Sequence, residues 1–309
     1  MSTELAAFDR HRRLLFSVAY QMLGSVADAE DVVQDAWLRW SAADRSSVGD
    51  PRAYLVQITT RLALDRLRSA QSRRESYVGP WLPEPLLTAP VTSGPPAPDP
   101  TEAAELGEQV SLALLVVLET LSHAERAVFV LREVFGMSVS EVAAVLGRSE
   151  ASVRQMAHRA REHVQARQPR FETNRRAQRE VTERFLAAVA GGDVEALLAA
   201  LAPDVVLISD GGGKAKAALR PITGSEKVAR FLVGIARQGA SIPDLRIEVA
   251  EVNGSAAIVG WSGVEPFGSV SLAMTDGRIQ QVLVVVNPDK LAGLAGIAGP
   301  PEGPPKLRR

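Results

Sequence analysis

Apolar positions recur at helical spacing through residues 5–75 and again through 101–168, whereas residues 172–295 open as helix and close in short strand-like runs. Leu14, Leu15, Val18, Ala19, Met22 and Leu23 form one stripe, and Gly24 ends that helix. Ser25 opens the next, with Asp28 three residues on at capping-box spacing. Val33, Ala36, Trp37 and Trp40 make its buried face and leave Asp28, Asp31, Gln34, Asp35 and Arg39 as a polar, mainly acidic one. A third helix starts at Asp50-Pro51, where proline suits a first turn, and continues to about Glu75. Leu55, Ile58, Leu62 and Leu67 line its core side. Arg61, Arg66, Arg68, Arg73 and Arg74, with Asp65 among them, gather toward its C-terminal half. Basic residues there suit the helix dipole and equally form a phosphate-tracking strip.

The segment Ser122–Gln168 reads as short helices ending in a helix-turn-helix. Ser122 with Glu125 and Ser138 with Glu141 mark two starts, and Ser149 opens a third. Leu146-Gly147-Arg148 is the tight turn between the last two helices. Val153, Ala157, Ala160 and Val164 share one face of the final helix, leaving Arg154, Gln155, His158, Arg159 and Arg161 turned away from it, with Ser152 near its start. That is the layout of a recognition helix in a DNA major groove, and also of a bundle with a solvated basic face.

Between the helical units, residues 76–100 are rich in proline yet hold the apolar patch Trp81-Leu82-Pro83-Glu84-Pro85, which a plain spacer does not need. A helix is expected from Thr101 to Thr120. Further on, the pattern gives helices over 172–190, 193–201 and 224–238 and strands over 205–209, 245–253, 256–262, 269–275 and 280–286. Asp276-Gly277 signals a hairpin. Helices followed by a curved antiparallel sheet make a compact α+β unit, so the chain reads as multidomain: two all-α units, then an α+β cone. Residues 296–309 read as a flexible tail, with proline and then Lys306, Arg308 and Arg309.

Composition changes this picture little. The chain has 309 residues, room for two or three cores, and a net charge of −1, so any nucleic-acid surface is local. It has no cysteine, which removes disulfides and cysteine metal sites and fits a reducing cytoplasm. No apolar run is long enough to span a bilayer, and the charged N-terminus lacks a signal-peptide core.

The order DAEDVVQDAWLR, then PRAYL with LALDRLR and RR, then the helix-turn-helix, resembles a group-four, extracytoplasmic-function (ECF) sigma factor. The resemblance implies sigma region 2 over 5–75 and region 4 over 101–168. It implies that Asp28, Asp31, Gln34, Asp35 and Arg39 contact the β′ clamp helices of core RNA polymerase, with the β flap as a second contact. It implies that the helix carrying Arg61, Asp65, Arg66, Arg68, Arg73 and Arg74 reads and helps open the −10 element. Many members carry Asn where Arg61 stands. The −35 element would be read by Ser152, Arg154, Gln155, His158, Arg159 and Arg161.

The last unit, 172–295, is similar to the SnoaL-like, or NTF2-like, cone. Trp81–Pro85, Asp210-Gly211-Gly212-Gly213-Lys214 and Asn287-Pro288-Asp289-Lys290-Leu291 resemble signatures of the ECF41 group of SigJ-like sigma factors. There the tail acts within the chain in place of a separate anti-sigma protein. Trp81, Leu82 and Pro83, Asp210 to Lys214 and Asn287 to Lys290 are then interdomain regulatory residues. In this reading three glycines allow close backbone approach, and Lys214 pairs with a carboxylate on another domain. No cofactor or metal is expected, nor catalysis by the sigma units. Two other readings stay open: a helix-turn-helix regulator whose cone senses a ligand, and an enzyme with Asp210 as base, against which Asp210 in a glycine-rich loop reads as a turn former.

Overall fold

The computed structural model describes residues 3–44, 48–89, 110–167, 175–239 and 241–297. The side chains of Arg73 and Arg74, linker residues 90–100, residues 101–109 of the expected helix, residues 172–174 and the expected tail from 298 onward lie outside this description.

Three helices form the N-terminal bundle: α1 (Thr3–Leu23), α2 (Val26–Ala42) and α3 (Pro51–Glu75). Gly24 sits at φ +67°, a conformation open to glycine, and Ser25 caps α2 through the Asp28 amide, so the chain reverses in two residues. Leu15, Met22, Leu23, Val32, Val33, Ala36, Trp40 and Leu55 close the core between the three helices.

A second bundle holds α4 (Leu112–Leu118), α5 (His123–Phe129), a single π turn (Val130–Val134), α6 (Val139–Leu146) and α7 (Glu150–Arg167). Ser111, Ser122 and Ser138 are the N-caps of α4, α5 and α6, and Ser138 with Glu141 forms a full capping box. Gly147 is left-handed at φ +62° and closes α6, which sets the steep turn into α7. Of the helix expected over 101–120, the described residues 110–120 contain α4.

The cone comprises α8 (Arg175–Gly191), α9 (Val194–Ala200), α10 (Ser225–Gly239) and strands β2 (Leu201–Asp210), β3 (Ile222–Thr223), β4 (Leu245–Val252), β5 (Ser255–Ser262), β6 (Glu265–Thr275) and β7 (Arg278–Val285). Two short 3-10 turns follow, Pro288–Lys290 and Ala292–Ile297. With β1 (Leu87–Ala89) at one edge, the sheet order is β1-β4-β5-β6-β7-β2-β3. Two features depart from expectation. The sheet is not wholly antiparallel, because β2 runs parallel to β7. Its outer strand β1 (Leu87–Ala89) comes from the linker, pairing antiparallel with β4. A proline-rich stretch hides such a strand, because its pairing partner lies more than 150 residues away in sequence.

The two faces of the sheet have different owners. Val249, Ile258, Leu272, Met274, Val282 and Val284 pack against α8, α9 and α10. The alternate positions Ala250, Val252, Ala257, Val259, Trp261, Ala273, Leu283 and Val285 join one apolar cluster with the cores of both helical bundles. Period-two alternation along the strands therefore serves two cores at once.

Candidate functional site

On α2, Asp31, Gln34, Asp35 and Arg39 are exposed together, whereas Asp28 is tucked in. Leu38, on the same exposed side, is 57% accessible, an apolar residue one turn beyond Gln34 that the polar-face reading passed over. Two of the acids are already engaged. Arg66 Nε donates to Asp28 Oδ1 at 2.8 Å, and Arg66 also bonds Asp31. These pairs brace α3 against α2 in the free chain. Arg68 pairs with Asp65 one turn away, and both are exposed.

Further back on α3 the contacts cross to the second bundle. Gln57 Nε2 donates to Ala144 O at 2.9 Å, and Arg61 Nε to Val145 O at 3.3 Å. Those carbonyls end α6, where a helix leaves acceptors unpaired and carries the negative end of its dipole. The helix expected to read the −10 element thus caps the helix-turn-helix.

On α7, Val153, Met156, Ala157, Ala160 and Val164 are buried, and Arg154, Gln155, His158, Arg159 and Arg161 are exposed, with Ser152 half-buried. Several are held by local acids: Arg154 by Glu150 at 2.6 Å, Arg159 by Glu125 at 2.8 Å, and His158 by Glu162 at 3.5 Å. Arg161 lies 3.5 Å from Glu133. The Arg154–Glu150 pair is exposed on both sides and therefore weak and solvent-screened, whereas Glu125 and Glu133 are partly buried.

The three signature stretches meet at one seam. Asp210 ends β2 and is fully buried. Its carboxylate accepts from Tyr77 Oη at 2.6 Å, the Leu82 amide at 2.8 Å and Lys290 Nζ at 2.7 Å. Lys290 Nζ also donates to Leu82 O at 2.6 Å and lies 4.1 Å from the Trp81 ring centroid. Asn287 Nδ2 donates to Tyr77 Oη at 2.7 Å. Burial, and then the bond to Asp210, push the Tyr77 phenol up, so it remains a donor. Gly212 is left-handed at φ +57°, and a Cβ there would fall on the Asn287 amide and 2.8 Å from Tyr77 Oη. Gly213 faces Val78 in the same way, and Gly211 is buried against its own loop.

Two expectations are corrected. Asp210 is not a turn former but the polar hub between linker and cone. Lys214 does not reach another domain; it pairs with Asp289 of the same cone, both more than half exposed. Lys290, three residues after Asn287 in the same 3-10 turn, makes the cross-domain contact instead.

The linker grips the N-terminal bundle with its other side. Glu84 Oε2 accepts from the Val26 amide at 2.7 Å, and the Glu84 amide donates to Gly24 O at 2.8 Å. Tyr20 Oη donates to Glu84 O at 2.6 Å and accepts from Asn253 Nδ2 of the cone at 2.7 Å. Sequence reasoning missed Tyr20, Tyr77, Glu84 and Asn253. The apolar patch Trp81–Pro85 in the proline-rich spacer pointed toward the linker pair Tyr77 and Glu84, and no local signal marked Tyr20 or Asn253.

Two DNA-binding-type helical modules clasped by a cone define a sigma-70-type architecture. Residues 7–73 match Sigma-70 region 2, residues 111–164 match Sigma-70 region 4, and residues 182–285 match the SnoaL-like domain. The chain is 42% identical to the ECF RNA polymerase sigma factor SigJ of Mycobacterium tuberculosis over 94% of each chain. It is 31% identical to the probable ECF RNA polymerase sigma factor SigI of that organism, over 95% of this chain and 97% of that one. The crystal structure of M. tuberculosis SigJ superposes with a TM-score of 0.73 at 37% identity, covering 94% of this chain and 99% of that one. The protein belongs to the ECF RNA polymerase sigma factors, and its function is promoter-directed transcription initiation. No helix among the described residues is long and apolar enough to cross a membrane.

Proposed function

We propose that this sigma factor rests in a closed, self-restrained form, and that its own linker and cone do the restraining. The observation that carries this is the pair of bonds from Gln57 and Arg61 of α3 to the last carbonyls of α6. A sigma factor engaged on −10 and −35 elements must hold its modules apart by roughly two turns of duplex, ~70 Å. Contact between α3 and α6 is incompatible with that span. The cone supports the closed form by filling its sheet face with both helical cores and by fixing the linker at Asp210 and Glu84. No separate anti-sigma protein is then required. The cone acts as a clamp and not as an enzyme, since the carboxylate of Asp210 is consumed by Tyr77, Leu82 and Lys290.

In this reading the exposed α2 face, with Gln34, Asp35, Arg39 and Leu38, docks on the clamp helices of core polymerase. α3 reads the −10 element once freed, and α7 the −35 element. The acids Asp28 and Asp31 act mainly by positioning, through Arg66. Replacing Gln34, Asp35 and Leu38 together (Gln34→Ala, Asp35→Arg, Leu38→Ala) is expected to weaken core binding at least ~10-fold, the loss of about 1.4 kcal/mol that one central contact supplies. Thermal unfolding should not move, because all three side chains are exposed. Unchanged affinity in a core-polymerase titration would refute this docking face.

For α7, Arg154→Ala in the holoenzyme is expected to weaken promoter binding. A base contact would also relax sequence preference by about 1–3 kcal/mol at one position, and a phosphate contact would lower the salt slope by about one. Binding equal to wild type at every salt concentration would remove Arg154 from the recognition surface.

A further inference from the structure

We propose that the seam between the two helical bundles is a binding site for a compact apolar amine, which fits only the closed chain. The proposal rests on the closed form argued above. A cavity of about 360 Å³ lies where α1 and the start of α3 face α6 and the loop before it. That volume is within the ordinary range for small-molecule sites. Leu14, Val18 and Val56 wall one side, and Phe135, Met137 and Val145 the other. Half of the site therefore belongs to each module, and parting them destroys it.

The polar groups on its wall set the ligand's charge. Asp50, Glu141 and Arg52 line the cavity, two carboxylates to one guanidinium. Asp50 Oδ1 already accepts the amides of Arg52 and Ala53, and Glu141 Oε2 that of Ser138, so both carboxylates are fixed in place by helix starts. Each has a second oxygen. The Ser138 hydroxyl and amide hold Glu141 below the usual carboxylate range, so it is charged at neutral pH. An apolar wall with a net negative rim selects one or two fused rings bearing a single ammonium group.

A ligand that binds only the closed state shifts the equilibrium toward it in proportion to its occupancy. Such a molecule would lower transcription by the holoenzyme without touching DNA or polymerase.

The probe is tryptamine, titrated calorimetrically into the full-length chain, with indole-3-propionate as the ring-matched anion. Saturable tryptamine binding is expected, at least ~10-fold tighter than the anion. Asp50→Asn keeps the helix cap and removes the charge, and should weaken tryptamine roughly two- to fivefold, the scale of a partly solvated ion pair. Ala144→Leu, at an exposed rim position of the cavity, should abolish binding while leaving the fold intact by circular dichroism. No saturable tryptamine heat, or equal binding by Ala144→Leu, overturns the site. Equal affinity for amine and anion overturns the charge assignment. A donor–acceptor distance across the same seam separates the two ideas. A closed chain that binds nothing sinks the site alone, whereas an open chain sinks the closed form and the site with it.

Discussion

Asp210→Ala is expected to lower the free energy of the first unfolding transition by about 3–5 kcal/mol, the cost of stranding one partner of a buried ion pair. The carboxylate is fully buried and takes three donors, one from each of Tyr77, Leu82 and Lys290. Without it, the Lys290 ammonium, 7% exposed, loses its carboxylate partner and still faces Leu82 O and two aromatic rings. The Leu82 amide loses its acceptor in the same step. Urea unfolding read by fluorescence measures the loss, and limited proteolysis should show cleavage across 77–89. Removing both charges (Asp210→Asn with Lys290→Met) should recover a large part of the stability, since paired charges replaced together cost little. A single variant within about 1 kcal/mol of wild type would mean that the seam contributes nothing to holding the linker.

Arg126→Ala is the second large effect. This arginine on α5 is 2% exposed and donates to Glu119 Oε1 at 2.5 Å, and more distantly to Gln21 O on α1 at 3.4 Å. It stands where the second bundle meets the first. Desolvation lowers its pKa to about 9, so it remains charged at neutral pH and needs the Glu119 carboxylate. Truncation removes the arginine from a buried site and takes away the Glu119 carboxylate's charged partner, and a loss of about 3–5 kcal/mol is expected. Glu119→Gln combined with Arg126→Ala should show coupling of about 0.5–3 kcal/mol in a double-mutant cycle. Strict additivity would show that the pair does not act as a unit.

Much of this was legible in the chain. Capping serines at 122 and 138, the left-handed glycine at 147 and the stripe Val153–Val164 are local features, and local features survive folding. The α2 face was legible for the same reason, except for Leu38, an exposed apolar residue that neither the buried nor the polar face of the pattern took in. What failed was long-range. Nothing local shows that α3 lies beside α2, or that Arg66, which reads as a DNA contact, also pairs with Asp28 and Asp31. Lys214 and Lys290 look equivalent in sequence, but only the second faces the linker. The glycines of 211–213 announced a close approach without saying to what; the answer, Asn287 and Val78, lies 75 residues one way and 135 the other. Strand β1 and the parallel β2–β7 pair likewise depend on partners that no local window contains.

The closed form can be measured directly, because the chain has no cysteine to interfere with labelling. Arg10→Cys on α1 and Gln165→Cys on α7, both exposed sites, would carry a donor and an acceptor. The account predicts efficient transfer in the free protein and a separation greater by more than ~34 Å, one duplex turn, once core polymerase and promoter DNA are added. The same distance in the free and engaged states, or a free chain already extended, would contradict it.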